Sequence, residues 1–231
     1  MFMKILKLIA LSVITSSLLL FSGCSSSSDD DPFIRVLHAG PTVAPVNIEV
    51  NGIRVASNLS YGQYVDYAQT DREQVIIDVL DTASSQNIYT STANLSRGET
   101  YTFFLSGTAG APGSLLTLDS STRASLGDIA IRTINMAPAT NLLDIYITGP
   151  GRLLVDEDPN VTNLPYRGST GYLTFDRGEG EFRVRGTTPF QKTAIVDSGL
   201  IELTERSKYT LVALESFQGG APYSFVILRD R

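Results

Sequence analysis

The chain has 231 residues, 42% of them hydrophobic, with 18 Lys and Arg against 24 Asp and Glu for a formal net charge of −6. This is the apolar content of a globular rather than a disordered protein, and the length allows one large or two small domains. The acidic balance disfavours nucleic acid and anionic headgroups as partners, and the single cysteine, Cys24, rules out an intramolecular disulfide.

The first element runs from Met1 to Cys24. Lys4 and Lys7 precede an apolar stretch from Leu8 to Leu20, and the small residues Ser22 and Gly23 stand before Cys24. A basic start, a short apolar run and small residues at a cut form a secretion signal. A membrane-spanning helix needs roughly 20 apolar residues, and Ser12, Thr15, Ser16 and Ser17 dilute this run. The end of the signal resembles the bacterial lipobox, with Phe21 where leucine is usual. The resemblance implies removal of residues 1–23 and acylation of Cys24 by chains such as palmitate. Two chains, at about 0.8 kcal/mol per buried methylene, tether a protein stably without spanning the membrane. Ser25, where aspartate would retain the protein at the inner membrane, implies the outer membrane. Losing Lys4 and Lys7 takes the formal charge from −6 to −8. Residues 24–31, with Ser25–Ser28 and Asp29–Asp31, carry no large apolar side chain and read as a flexible tether.

From Pro32 onward the chain repeats itself. Ile34–Pro41 lines up with Ile131–Pro138, Val46–Gly52 with Leu143–Gly149, and Asn58–Tyr61 with Asn163–Tyr166. Tyr67 then matches Tyr172, Tyr101-Thr102 matches Tyr209-Thr210, and Gly110–Pro112 matches Gly220–Pro222. Matches in one order point to a tandem duplication, with copies at 32–119 and 126–231 and a small, polar linker at 120–125. Val46, Ile48 and Val50 alternate with polar residues, as do Tyr101, Phe103 and Leu105, then Ile145 and Ile147, then Tyr209 and Leu211. Period two predicts strands with one buried and one wet face. Asn51-Gly52 between alternating runs predicts a hairpin turn with two positive φ angles. Short strands at 8–12-residue spacing predict an all-β fold of two tandem immunoglobulin-like antiparallel sandwiches, each copy folding alone.

Ile34–Ala39 with Pro41, then Val46–Gly52, then Val55–Gly62 resemble the bacterial domain of unknown function 4397, which reads "RVLHASP", "VDVYVNG" and "LAYG" at these places. The second copy departs from that pattern at Asn135, Met136 and Arg167. The resemblance implies β-sandwich modules on secreted or anchored bacterial proteins and brings no catalytic residues.

Sources of chemistry are few. His38 is the only histidine, and its counterpart is Asn135, which cannot shuttle protons near neutral pH. It reads as a side chain bonding the loop that follows it. No G-x-S-x-G elbow is present, and the glycines at 107–110 and 178–180 precede no helix, so serine-hydrolase and phosphate-loop chemistry lack their motifs. The acidic run Asp156, Glu157 and Asp158 reads as a solvated loop, with weak calcium binding as the alternative; no metal or other cofactor is otherwise expected. Tyr61, Tyr64 and Tyr166 follow the third strand of each copy and join apolar area to a polar tip. They are candidates for a ligand face, weighed against packing. The expectation is a non-enzymatic outer-membrane lipoprotein that presents two β-sandwich modules for adhesion or for binding a carbohydrate or a protein, and that does not bind nucleic acid. The alternatives are a scaffolding subunit of an envelope assembly and, third, a hydrolase with its site between the copies.

Overall fold

The computed structural model describes residues 30–119, 122–178 and 180–231. The signal, Cys24 and nearly all of the tether lie outside the described residues.

The first unit holds β1 (Phe33–His38), β2 (Val46–Val50), β3 (Ile53–Leu59), β4 (Tyr64–Gln69), β5 (Gln74–Asp81), β6 (Asn87–Asn94), β7 (Thr100–Thr108) and β8 (Ala111–Leu118). The second holds β9 (Asp128–Asn135), β10 (Leu142–Thr148), β11 (Val161–Pro165), β12 (Leu173–Asp176), β13 (Glu181–Thr187), β14 (Val196–Glu202), β15 (Lys208–Leu214) and β16 (Ser224–Asp230), with short 3-10 turns at Pro138–Thr140 and Leu154–Asp156. Each unit is a sandwich of two four-stranded sheets with the same strand order. These are β4-β1-β7-β8 over β3-β2-β5-β6, and β12-β9-β15-β16 over β11-β10-β13-β14. The all-β sandwich expectation holds, with one addition. β1 pairs with β7 and β9 with β15 in parallel, which the chain can do because a whole second sheet lies between those strands.

Each sandwich has its own core. Ile34, Val36, Phe103 and Leu105 meet Val46, Ile48, Val75 and Ile77 in the first unit. Ile129, Ile131 and Leu211 meet Leu143, Ile145 and Val184 in the second. The hairpin turn at Asn51-Gly52 forms as predicted, with φ of 52° and 78°. Both units also fix a tyrosine at a corner: Ser96 N–H donates to the Tyr101 hydroxyl and Thr204 N–H to that of Tyr209, each at 3.0 Å.

The wet face expected of the strands is missing from the central pair of each inner sheet. β1, β7, β9 and β15 are buried along nearly their whole length. Their second face packs on the other unit, where Leu37, Ala39 and Phe104 meet Ile134, Met136, Val212, Leu214 and Leu228. The order across the molecule is outer sheet, inner sheet, inner sheet, outer sheet.

Candidate functional site

Two kinds of place deserve the name of site: the junction, where matching residues meet, and the outer faces, where the units differ. The junction takes two of the three candidate tyrosines, Tyr61 and Tyr166. Tyr61 donates its hydroxyl proton to the Glu215 carbonyl at 2.8 Å, across the two units, and its ring packs against His38 and Phe217. Burial, and then the charge of Glu215, raise its pKa well above the ordinary phenol value. The Tyr166 hydroxyl accepts the Gly107 N–H at 3.1 Å, again across the junction. Arg167, in the left-handed region at φ 60°, stacks on Tyr166 and lays its guanidinium where a Cβ on Gly113 of the first unit would otherwise stand. Of the three tyrosines proposed for ligand contact, Tyr64 alone is open, at 46% exposure.

The middle of the junction is a paired ionic network. Arg35 donates from Nε to Thr102 Oγ1 of its own unit at 3.0 Å, and Arg132 does the same to Thr210 Oγ1 at 3.0 Å. Each then crosses over. Arg35 Nη2 reaches Asp230 Oδ1 at 2.5 Å and Arg132 Nη2 reaches Asp119 Oδ1 at 2.6 Å. Arg35 Nη1 donates to the Arg229 carbonyl and Arg132 Nη1 to that of Leu118. The remaining carboxylate oxygens take Tyr67 and Tyr172: Tyr67 to Asp119 Oδ2 at 2.8 Å and Tyr172 to Asp230 Oδ2 at 2.7 Å. Each guanidinium also lies over the ring of its own tyrosine, at 4.6 and 4.7 Å. Both arginines and both aspartates are buried. Burial, then the neighbouring carboxylate, pushes the Tyr67 and Tyr172 pKa values far up. Burial works against the Arg35 charge, but Tyr67, Asp230 and Asp119 outweigh it and hold its pKa above normal. Every member has a partner, which is the condition under which buried charges are tolerated.

His38 is consumed by the fold. Its Nδ1 accepts the Gly40 N–H at 3.3 Å, which leaves the proton on Nε2 to be donated to the Ala44 carbonyl at 3.2 Å. Burial lowers its pKa. Asn135 repeats the arrangement, accepting the Ala137 N–H at Oδ1 and donating from Nδ2 to the Leu164 carbonyl. The loop-bonding role read from the sequence is the one observed.

The outer faces diverge. Asn47 and Asp144 hold equivalent places, accepting the N–H of Asn58 and of Asn163. The second unit adds two loops over this face, one from Gly149 to Asn160 and one from Thr188 to Ile195, tied together by Lys192 Nζ donating to the Glu157 carbonyl. Between them is a recess of about 260 Å³ lined by Asp144, Tyr146, Pro159, Asn163, Phe190 and Lys192. Tyr146 is its floor, with Lys192 Nζ 5.1 Å above the ring. Phe190 is 95% exposed and has φ of 64°, a conformation a bulky residue avoids. The second Asp144 oxygen accepts the Phe190 N–H at 3.4 Å and so helps hold that loop. Sequence reasoning reached this loop through its acidic run and missed Tyr146, Phe190 and Lys192.

The acidic run itself does not converge. Glu157 pairs with Arg152 at 3.4 Å, while Asp156 and Asp158 face solvent. Among the described residues no three His, Cys, Asp or Glu side chains form a group that could hold a metal ion.

The model of the family described as "Domain of unknown function (DUF4397)" matches residues 32–146, which takes in the first unit, β9 and most of β10. No curated protein matches the chain. Two solved structures illustrate the distant likenesses. A family 41 carbohydrate-binding module from streptococcal virulence factors, titled for alpha-glucan recognition, is 13% identical. It covers 84% of this chain and 95% of its own, with a TM-score of 0.29. A family 26 module of Eubacterium rectale Amy13K, solved with maltoheptaose, is 11% identical and covers 87% and 97%, with a TM-score of 0.27. Scores this low transfer neither a ligand nor a site.

Proposed function

Residues 32–146 belong to the DUF4397 family, a family named without a function, and from the chain's own surfaces we propose a non-enzymatic, lipid-anchored envelope protein that binds a saccharide in the recess of its second unit. The observation that carries this reading is Phe190. A fully exposed phenylalanine in a left-handed backbone gains no packing and bears strain, and such strain gathers at sites that contact ligands. Around it stand a carboxylate, an amide and an ammonium group, hydrogen-bonding groups beside one open aromatic ring, a mixture that suits a sugar. The one histidine is buried with both ring nitrogens engaged, which leaves the recess without an imidazole for acid–base work.

The anchor is Cys24, with the outer membrane as its address. Cys24→Ser should release the protein from the membrane fraction, and a mature-size variant that stays bound would refute the anchor. A glycan array tests the binding reading. The full chain should bind a set of saccharides, Phe190→Ala should lose that set, and Tyr64→Ala should keep it. Loss in Tyr64→Ala with Phe190→Ala unaffected would move the site to the first unit. Leu153 and Val155, exposed on the loop beside Phe190, favour a protein partner as the second reading. Capture of one envelope protein by the parent and not by Phe190→Ala, with a blank array, would select it.

A further inference from the structure

Three adjoining recesses run along the open end of the junction. The first, of about 540 Å³, lies against Phe33 and Tyr67 of the first unit. It shares Arg229, Asp230 and Arg231 with a second of about 380 Å³. That one shares Arg123 and Lys208 with a third of about 230 Å³ against Tyr172 and Thr174 of the second unit. The middle recess is lined by Arg123, Arg206, Lys208, Arg229 and Arg231, five of the chain's 18 cationic residues, in a protein of net charge −6. Of its two acids, Asp230 takes Arg35 and Tyr172 and also acts on Lys208, and Glu205 accepts the Gly127 N–H at 2.6 Å. Lys208 is only 7% exposed, on the Tyr172 ring at 4.1 Å; burial lowers its pKa, while the charge of Asp230 opposes that shift. Five cations lining one hollow on an acidic protein set up a local positive field that favours an anion there.

We propose that this groove is a second binding site, for an extended saccharide chain bearing carboxylate or sulfate groups. Arginine forks match such oxyanions in geometry. A sparsely charged chain fits better than nucleic acid, because a strand with a charge on every nucleotide would meet the acidic surface beyond the groove. The site is independent of the Phe190 recess.

The test is fluorescence anisotropy on the full chain with labelled hyaluronate, which has one carboxylate per disaccharide, lightly sulfated dextran, neutral dextran and a single-stranded oligonucleotide. At low salt, binding of at least one of the two acidic polysaccharides is expected. That binding should weaken at least about tenfold as salt rises from about 20 to about 200 mM. Arg123 and Arg206 are exposed, so Arg123→Glu with Arg206→Glu should fold normally, shown by unchanged circular dichroism, and lose at least about tenfold in affinity. Phe190→Ala should bind these probes like the parent. Binding of neither acidic chain, an unaffected double variant, equal binding of neutral dextran, or tighter binding of the oligonucleotide would each overturn the proposal.

Discussion

The ionic network between the two units matches residue for residue, while the faces they turn outward do not. At the junction, Arg35 and Arg132, Thr102 and Thr210, Asp119 and Asp230, and Tyr67 and Tyr172 make the same bonds about a shared axis. On the outer sheets, Asn47 and Asp144 hold their places alike, but only the second unit has loops, a Phe190 and a Lys192 above them. In the buried centre of the junction the matched residues satisfy each other, and the basic groove opens only at its edge. Unmatched residues hold exposed area and strain that the fold does not use. The division separates the residues that build the body from those that face something else.

Four outcomes would break or sharpen this division, from the largest effect down. Separating the units should do most damage. Residues 32–119 alone would expose Leu37, Ala39 and Phe104 together with Arg35 and Asp119. Size-exclusion chromatography should show self-association or aggregation, and a well-behaved monomer with a cooperative melt would show that the junction is dispensable. In the full chain, Asp119→Ala leaves Arg132 without its carboxylate and should cost about 3–5 kcal/mol by urea denaturation. A loss under about 1 kcal/mol would mean that the network is solvated. Tyr67→Phe, which deletes one hydrogen bond, should cost about 1–2 kcal/mol by the same assay.

The smallest effect is one of pH. Burial lowers the folded His38 pKa below its unfolded value of about 6.5. The stability tied to its neutral form is therefore present above that value and is lost as pH falls through the folded pKa. His38→Asn, which copies its counterpart, should flatten the acid side of a stability–pH curve. An unchanged acid limb would place the titration elsewhere.

Much of the body was legible in the sequence. The repeat, the alternating strands and the Asn51-Gly52 turn rest on local periodicity, and all are found as strands or turns. The junction was not legible. Arg35 in an alternating strand reads as a solvent-facing residue, and the carboxylate that makes burial tolerable, Asp230, is 195 positions away. The aromatic character of Tyr61 and Tyr166 was visible, but whether a ring faces ligand or a second sheet depends on how two sandwiches dock. Phe190 gave no signal, because one aromatic residue after Thr188-Pro189 has no period to reveal it.

The account turns on the two sandwiches opening as one body. Hydrogen exchange with mass spectrometry on the full chain, across a series of sub-denaturing urea concentrations, measures the opening free energy of β7 and β15 separately. The account predicts that the two segments lose protection together, with one free energy and one urea dependence. If β7 opens while β15 stays protected, or the reverse, the units are independent beads and the junction is only a contact between them.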